Sequence, residues 1–436
     1  MSISVVIVGS GPSGFYVAEA LIKSEVDVAV DIVDRLPTPY GLIRGGVAPD
    51  HQKTKRVTRA YERTASHESV RYFGNVELGR NVSLAELREM YDAVVLTIGM
   101  PGDSTLGIPG EDKKGVIGSA AFVGWYNGHP DFRDLDPCLD TENVVVIGNG
   151  NVAIDVARVL VKTPEEMTEA DLPRHAGEAI QASPVTDVYM VGRRGPVEAK
   201  FTNVELREMG HLTDAAAIID ANDLPDEVTG DWSDRDRRLR ERNLESLRGF
   251  CAQPRDGKTK SVHFTFYAKP VEILGDERVT GIRLEKTQVV DGRAQGTGEF
   301  FEIACGLVVP AIGYVMEPPH DIPFDESTGT IRNEDGRVED GVYAAGWARR
   351  GPTGVIGTNK PDGQNAAALL LEDIKSGLKP GRGAFETLLK DRDVRWVDFT
   401  EWKKIDDAEV NNAQPGAPRE KFVTAAEMLQ FLDTAS

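Results

Sequence analysis

Cysteine is scarce in this chain: three in 436 residues, at positions 138, 251 and 305. No two form a C-x-x-C pair, which excludes a dithiol redox centre and a recognisable iron–sulfur ligand run and reads the thiols as structural. No metal site is expected. Apolar runs of about 18 residues are missing as well, so nothing is expected to span a membrane. Basic residues are in deficit, with 50 Lys and Arg against 70 Asp and Glu and a formal net charge of −20. That argues against nucleic acid or an anionic membrane as a partner, outside any locally basic patch. A charged n-region with an apolar h-region is also lacking at the start. With unpaired thiols, this leads us to expect a cytoplasmic protein.

What is present begins with a strand-like run at 5–8, then Gly9-Ser10-Gly11-Pro12-Ser13-Gly14, then a helix-compatible stretch at 15–23. Gly9 permits a tight turn, Gly11 admits a pyrophosphate to the backbone, and Gly14 lets helix and strand pack closely. The helix N-terminus adds free N–H groups and the positive end of its dipole. The next strand, Val28–Val33, ends at Asp34, 20 residues beyond Gly14. A carboxylate there suits a ribose hydroxyl pair and repels a 2′-phosphate, so FAD or NAD is expected. The loop 35–51, rich in Pro and Gly yet apolar, is expected to wrap something flat. A helix from His51 through Tyr61, a strand at 72–75 and a buried strand at 91–99 ending in Gly99 follow. Between them lies a helix Leu84–Met90 with Ser83 as N-cap and Glu86 at N3.

A second unit opens at Asn143–Ile147 with Gly148-Asn149-Gly150-Asn151-Val152-Ala153 and a helix at 154–161. Its answering strand, Asp187–Val191, ends in Gly192-Arg193-Arg194. Guanidinium forks match phosphate oxygens, so NADP(H) is expected here. Residues 163–184 read as a surface excursion and 213–230 as irregular. A helix at 201–209 carries Glu205 and Glu208, solvated by pattern alone. Residues 234–248 hold six arginines against four acids. Asp234 with Arg238 and Asp236 with Arg240 are spaced for ion pairs on a surface helix, and the surplus arginines leave open a docking ridge. Segments 263–268, 271–274, 279–285 and 300–303 read as antiparallel strands. Leu307–Pro310, running on to Gly313, echoes 96–99 of the first unit. A strand at 342–345 enters a glycine-rich stretch before a helix beginning near 361–364, where a flavin or phosphate could rest. Trp396, Phe399 and Trp402 read as packing. With a chain too long for one core, the fold expected is α/β with two dinucleotide-binding Rossmann-like domains.

These residues resemble the adrenodoxin-reductase-type ferredoxin–NADP⁺ reductases, especially their mycobacterial and other actinobacterial members. The resemblance spans nearly the whole chain. It rests on the blocks 9–14, 39–51 (Pro39-Tyr40-Gly41-Leu42-Ile43-Arg44 with Val47-Ala48-Pro49-Asp50-His51), 122–131, 148–153, 192–196 and 346–360. It implies a discontinuous FAD-binding domain, 1–107 and 320–436, with an NADP-binding domain, 108–319, inserted between. Asp34 matches the acid on the FAD ribose. Arg193 and Arg194 match the pair on the 2′-phosphate, and Asn149, Asn151 and Val152, about Gly150, match the turn over the NADP pyrophosphate. Glu205 matches a carboxylate near the NADP ribose. His51 and Glu208 match a catalytic pair near the flavin. Further cofactor-binding candidates are Gly41, Leu42, Val47, Gly99, Trp347, Gly354, Val355 and Ile356. Gly363 departs from the alanine usual in relatives, which loosens the helix start by about 1 kcal/mol at most.

The reaction expected is hydride transfer from NADPH to FAD, then single electrons to an iron–sulfur ferredoxin, docking near Arg235 to Arg242. The protein would be a monomer or weak dimer. An NADPH:quinone or dye diaphorase, or the pyridine-nucleotide-binding subunit of a larger electron-transfer complex, are the alternatives. Reduced flavin passes electrons to many acceptors.

Overall fold

A computed structural model describes residues 2–253, 257–317, 321–375 and 377–434. The chain divides into two compact units. Unit 1 comprises Met1–Gly102, Asn127–Pro130 and Tyr314–Ser436; unit 2 comprises Asp103–Tyr126 and Asp131–Gly313. The sequence-based domain limit between 319 and 320 lies outside the described residues. Among the described residues no helix is long and apolar enough to cross a membrane.

Unit 1 is built on a six-stranded sheet in the order Arg337–Glu339, Val342–Ala344, Ala93–Leu96, Ile3–Val8, Val28–Val33, Val70–Phe73. All neighbours are parallel except the first pair. Strand residues alternate faces. Ile3, Val5 and Ile7 join one core cluster with Phe15, Val30 and Trp402, while Val6 and Val8 join another with Val94, Leu96 and Phe385. Both faces are therefore covered, which is why these strands are almost continuously apolar. The 342–345 strand ends one residue early, at Ala344, and the strand placed at 72–75 runs over Val70–Phe73. The helix after His51 is broken into Gln52–Lys55 and Thr58–Ala65. Helix Leu84–Met90 carries the full capping box: Glu86 N donates to Ser83 Oγ at 3.2 Å, and Ser83 N donates to Glu86 Oε2 at 2.9 Å.

Unit 2 holds an all-parallel five-stranded sheet in the order Leu307–Pro310, Asn143–Ile147, Asp187–Val191, Lys260–Thr265, Ala215–Ile219. One face packs on helices through Val144, Val146, Ile154, Leu160, Leu206 and Leu247. The other packs on an antiparallel sheet of Ala268–Leu274, Gly281–Val290 and Arg293–Ala304 through Val145, Ile147, Ile273, Ile282 and Leu284. Three sequence-based readings are corrected here. Ala215–Ile219, inside the stretch read as irregular, is an edge strand paired with Lys260–Thr265. Residues 163–184 contain a helix, Arg174–Ala182, whose Ala176 and Ile180 enter the core. Residues 263–265, read as antiparallel, belong to the parallel sheet.

Candidate dinucleotide sites

In each unit the strand before the glycine turn has its two neighbours on opposite sides: Val28–Val33 and Ala93–Leu96 in unit 1, Asp187–Val191 and Leu307–Pro310 in unit 2. Chain connections diverge at such a strand and leave a crevice beyond its carboxyl end, the place where α/β sheets bind ligands.

The first turn divides its glycines by task. Gly9 has φ 108°, and a Cβ there would lie 2.5 Å from the Thr97 carbonyl oxygen. One on Gly14 would lie 2.1 Å from the Gly9 carbonyl oxygen. These positions are closed by backbone. A Cβ on Gly11 would meet nothing within 4 Å, so the turn is open on that side. Thr97, which the sequence did not single out, secures the turn by donating Oγ1 to Val8 O at 3.0 Å and Gly9 O at 2.8 Å. Pro12 begins helix Pro12–Ile22 at a position where a missing N–H costs nothing. Asp34 is set at the strand end by Ser10, whose N and Oγ donate to Oδ2 at 2.9 and 2.5 Å, and by Leu36 N on Oδ1 at 3.0 Å. Oδ2 is filled by the two Ser10 donors, whereas Oδ1 keeps further acceptor capacity for a hydroxyl.

The loop 35–51 lies across this turn. Tyr40 N donates to Ser10 O at 3.0 Å, and a Cβ on Gly41 would lie 3.0 Å from Gly11 Cα. Tyr40 is buried beside Phe15 and Trp402, and burial pushes its hydroxyl pKa up. Leu42, exposed, starts the short helix Leu42–Gly45; Val47 packs on the core, and His51 stands at the N-cap of Gln52–Lys55. Gly99 follows strand Ala93–Leu96 with open space at its Cβ position. The third side comes from the far end of the chain. Gly346 has φ 74°, and a Cβ there would lie 2.0 Å from Ser13 Oγ. Its N–H donates to Asp362, which also accepts from Arg349 at 2.6 Å. Ser13 Oγ donates to Asn359 Oδ1 at 3.1 Å. Trp347 stacks on Tyr314 with centroids 5.5 Å apart. Gly354 and the exposed Val355 lead through Ile356–Thr358 into helix Asn359–Asp373, which starts earlier than the sequence suggested. Gly363 has a packing reason: its Cβ would lie 2.8 Å from Tyr16 Cβ, so the two helices touch there.

The second turn repeats the division. A Cβ on Gly148 (φ 149°) would lie 2.4 Å from Ala311 O, whereas one on Gly150 meets nothing within 4 Å. Helix Asn151–Val161 begins directly at the turn, and buried Ala153 shows that a methyl fits where the first turn has Gly14. Asn149 O accepts Lys200 N at 2.7 Å and Asn151 Oδ1 accepts Thr202 N at 2.8 Å, tying turn to following segment; Val152 rests on the core. Arg193 is exposed at the end of Asp187–Val191, and Arg194 reaches Gly292 O at 3.5 Å, the limit of a hydrogen bond. Glu205 and Glu208 lie on helix Asn203–Glu208, and the solvated reading is corrected for both. Both are half-buried; Glu208 Oε2 is 3.2 Å from Arg158 Nη1, because this helix packs on Asn151–Val161. His51 belongs to unit 1 and Glu208 to unit 2.

The arginine segment is helix Asp234–Cys251 with Ser233 as N-cap. The expected carboxylate pairs give way to backbone bonds: Arg238 Nε donates to Asp234 O at 3.0 Å and Arg240 Nη1 to Asp236 O at 3.3 Å. Arg237 holds Val228 O and Gly230 O, and Arg248 holds Pro225 O and Asp226 O. Arg240 lies 3.6 Å over the Trp232 ring, and burial lowers its pKa. Arg235, Arg238 and Arg242, spaced to share one helical face, point to solvent.

Residues 3–193 match the family model described as pyridine nucleotide-disulphide oxidoreductase. The chain is 40% identical to the NADPH-ferredoxin reductase FprA of Mycobacterium tuberculosis, over 98% of each chain. It is 41% identical to human mitochondrial NADPH:adrenodoxin oxidoreductase, over 98% of this chain and 91% of that one. The solved structure of M. tuberculosis FprA in complex with NADPH superposes with a TM-score of 0.94 at 39% identity, covering 99% of this chain and 100% of that one.

Proposed function

This chain belongs to the pyridine nucleotide-disulphide oxidoreductases, in the branch of the NADPH-dependent ferredoxin and adrenodoxin reductases, and from that premise we propose that it is an FAD-dependent ferredoxin–NADP⁺ reductase. The observation that carries the reading is the opposite charge at the two ribose positions. A carboxylate, Asp34, follows the first glycine turn, and two guanidiniums, Arg193 and Arg194, follow the second. The open sides of Gly11 and Gly150 fit a pyrophosphate at each turn. When bound, FAD and NADPH supply the redox chemistry, in which hydride passes to the flavin and single electrons leave to an iron–sulfur carrier.

The protein's part is placement. Asp34 accepts the hydroxyls of the FAD ribose and excludes a 2′-phosphate. The loop over Gly11, with Gly41, Leu42 and Val47, shields the flavin from water, and Gly346 lets Trp347 and the 354–356 turn approach it. Asn149, Asn151 and Val152 orient the NADPH pyrophosphate, and Glu205 its ribose. Arg193 and Arg194 clamp the 2′-phosphate. His51 and Glu208 position the reacting rings and hold or move a proton beside the flavin.

The acceptor is an acidic ferredoxin that docks on the face of Arg235, Arg238 and Arg242, and the enzyme works in the cytoplasm as a monomer or weak dimer. Neutralising those three arginines raises the KM for ferredoxin and flattens its salt dependence while dye reduction stays unchanged. Stopped-flow mixing of the FAD-loaded protein with NADPH, then with ferredoxins, tests the whole reading. Rapid flavin bleaching by NADPH, much slower bleaching by NADH, and reoxidation by ferredoxin are expected. A protein that takes up no flavin, or uses both coenzymes equally, refutes it.

A further inference from the structure

Helix Asn151–Val161 carries one charged side chain with no exposure at all: Arg158, 0%. A guanidinium removed from water persists only against anions held close to it. Its Nη1 is 2.9 Å from Asp155 Oδ1, one turn back on the same helix, and 3.2 Å from Glu208 Oε2, the last residue of Asn203–Glu208. Both are ion-pair distances, so the one nitrogen stands in the field of both carboxylates at once. Asp155 in turn has a carboxylate oxygen within 4.8 Å of one from Glu205. Two acids thus flank a buried cation at the helix that springs from the second glycine turn, and a third, Glu205, lies beside one of them.

Asn203–Glu208 spans only 6 residues. A helix so short is not self-supporting, and its terminal side chain takes its direction from what it touches. Arg158 is fully enclosed where Glu208 is not. The guanidinium is enclosed by the core, anchored from behind by Asp155, and planar, whereas Glu208 is 38% exposed at its side chain.

We propose that Arg158 is a positioning residue of the reductase reaction, holding the Glu208 carboxylate in its working place through the shared Nη1. The inference rests on the assignment of Glu208 to the reacting centre. The bland alternative is a tie between two helices that contributes to stability alone. The two differ in one respect: a residue acting through Glu208 has nothing left to do once Glu208 is gone.

A double-mutant cycle on the FAD-loaded, full-length protein separates them. Flavin bleaching at saturating NADPH and the NADPH half-saturation are measured for Glu208→Gln, Arg158→Met, Arg158→Lys and the two combinations with Glu208→Gln. We expect Glu208→Gln and Arg158→Met each to slow bleaching by about 10-fold or more, as a small misplacement of a reacting group does. Half-saturation should change less than about 2-fold, the size of effect left when binding is untouched. Combining Arg158→Met with Glu208→Gln should slow the reaction no further than Glu208→Gln alone. Arg158→Lys, which keeps the charge but loses the fork, should fall between wild type and Arg158→Met. If Arg158→Met does not retain FAD, the Arg158→Lys arm carries the same cycle. Normal bleaching in the Arg158 variants, or losses that multiply with Glu208→Gln, overturns the proposal. An unaffected Glu208→Gln overturns the Glu208 assignment and this inference together, while NADPH-specific bleaching in that variant leaves the reductase reading standing.

Discussion

Glu409 offers the sharpest test of how the loop over the first turn is fastened. It lies in helix Phe399–Asn411 with no exposed surface. Arg44, in the loop's short helix, meets it with both fork nitrogens, Nη1 to Oε2 at 2.8 Å and Nη2 to Oε1 at 2.5 Å. Arg419 Nη1 reaches Oε2 at 3.2 Å and Phe422 N reaches Oε1 at 3.0 Å. The Arg44 side chain is 12% exposed, so little water can replace a lost partner. Removing one member of a buried ion pair costs about 3–5 kcal/mol, because the other charge stays behind uncompensated. Glu409→Gln keeps one accepting oxygen and belongs at the lower end, about 3 kcal/mol. At about 2–4 °C per kcal/mol for a unit of this size, the Tm of unit 1 should fall by about 6–12 °C. The loop should loosen with it and release flavin earlier. Thermal melts followed by circular dichroism and by flavin fluorescence read both effects. The double change Arg44→Met with Glu409→Gln should recover part of the loss, since it no longer strands a cation. A Tm within about 2 °C of wild type, or a double variant as unstable as the summed singles, would show the pair to be incidental.

On the proposed assignment, replacing Arg193 and Arg194 by alanine would remove two charge-assisted contacts to the 2′-phosphate. At about 1.5 kcal/mol each, the low end for solvent-reachable groups, the KM for NADPH should rise about 100-fold with NADH little affected; steady-state kinetics with both coenzymes decides. Gly346→Ala places a methyl 2.0 Å from Ser13 Oγ at φ 74°. It should give a folded protein with little bound FAD, read from the visible spectrum, and full flavin content would contradict the close approach. Arg392 and the Ser83 N–H lower the Glu86 pKa from 4.5 to about 2. A lowered carboxylate stabilises the fold above its ordinary pKa and loses that contribution as pH falls through the folded value. The stability difference between wild type and Glu86→Gln should therefore be about 1 kcal/mol at pH 6 and vanish toward pH 2. Urea unfolding at both pH values measures it.

Local features were legible in the linear chain. The glycine turns, the capping box at Ser83 and the charges at 34, 193 and 194 each depend on residues a few positions apart, within one strand-turn-helix unit. Features that join distant segments were not. Asp-Val-Ala-Arg at 155–158 looks like any surface helix pair, yet in the fold the arginine is sealed from water and meets Glu208 of a helix some fifty residues on. The arginines of Asp234–Cys251 look matched to their own acids, yet the folded loop at 225–230 offers carbonyls within better reach.

The sequence alone determined the α/β class and the two turns, because apolar strand runs and small residues at fixed spacing constrain the backbone wherever they occur. Tertiary structure decided what the turns face and which charges are buried. Ala215–Ile219 becomes a strand only because Lys260–Thr265 lines up beside it, and Gly346 must be glycine both for its φ of 74° and because Ser13 comes within contact of it. Both depend on distances between segments far apart in the chain, which no local pattern encodes.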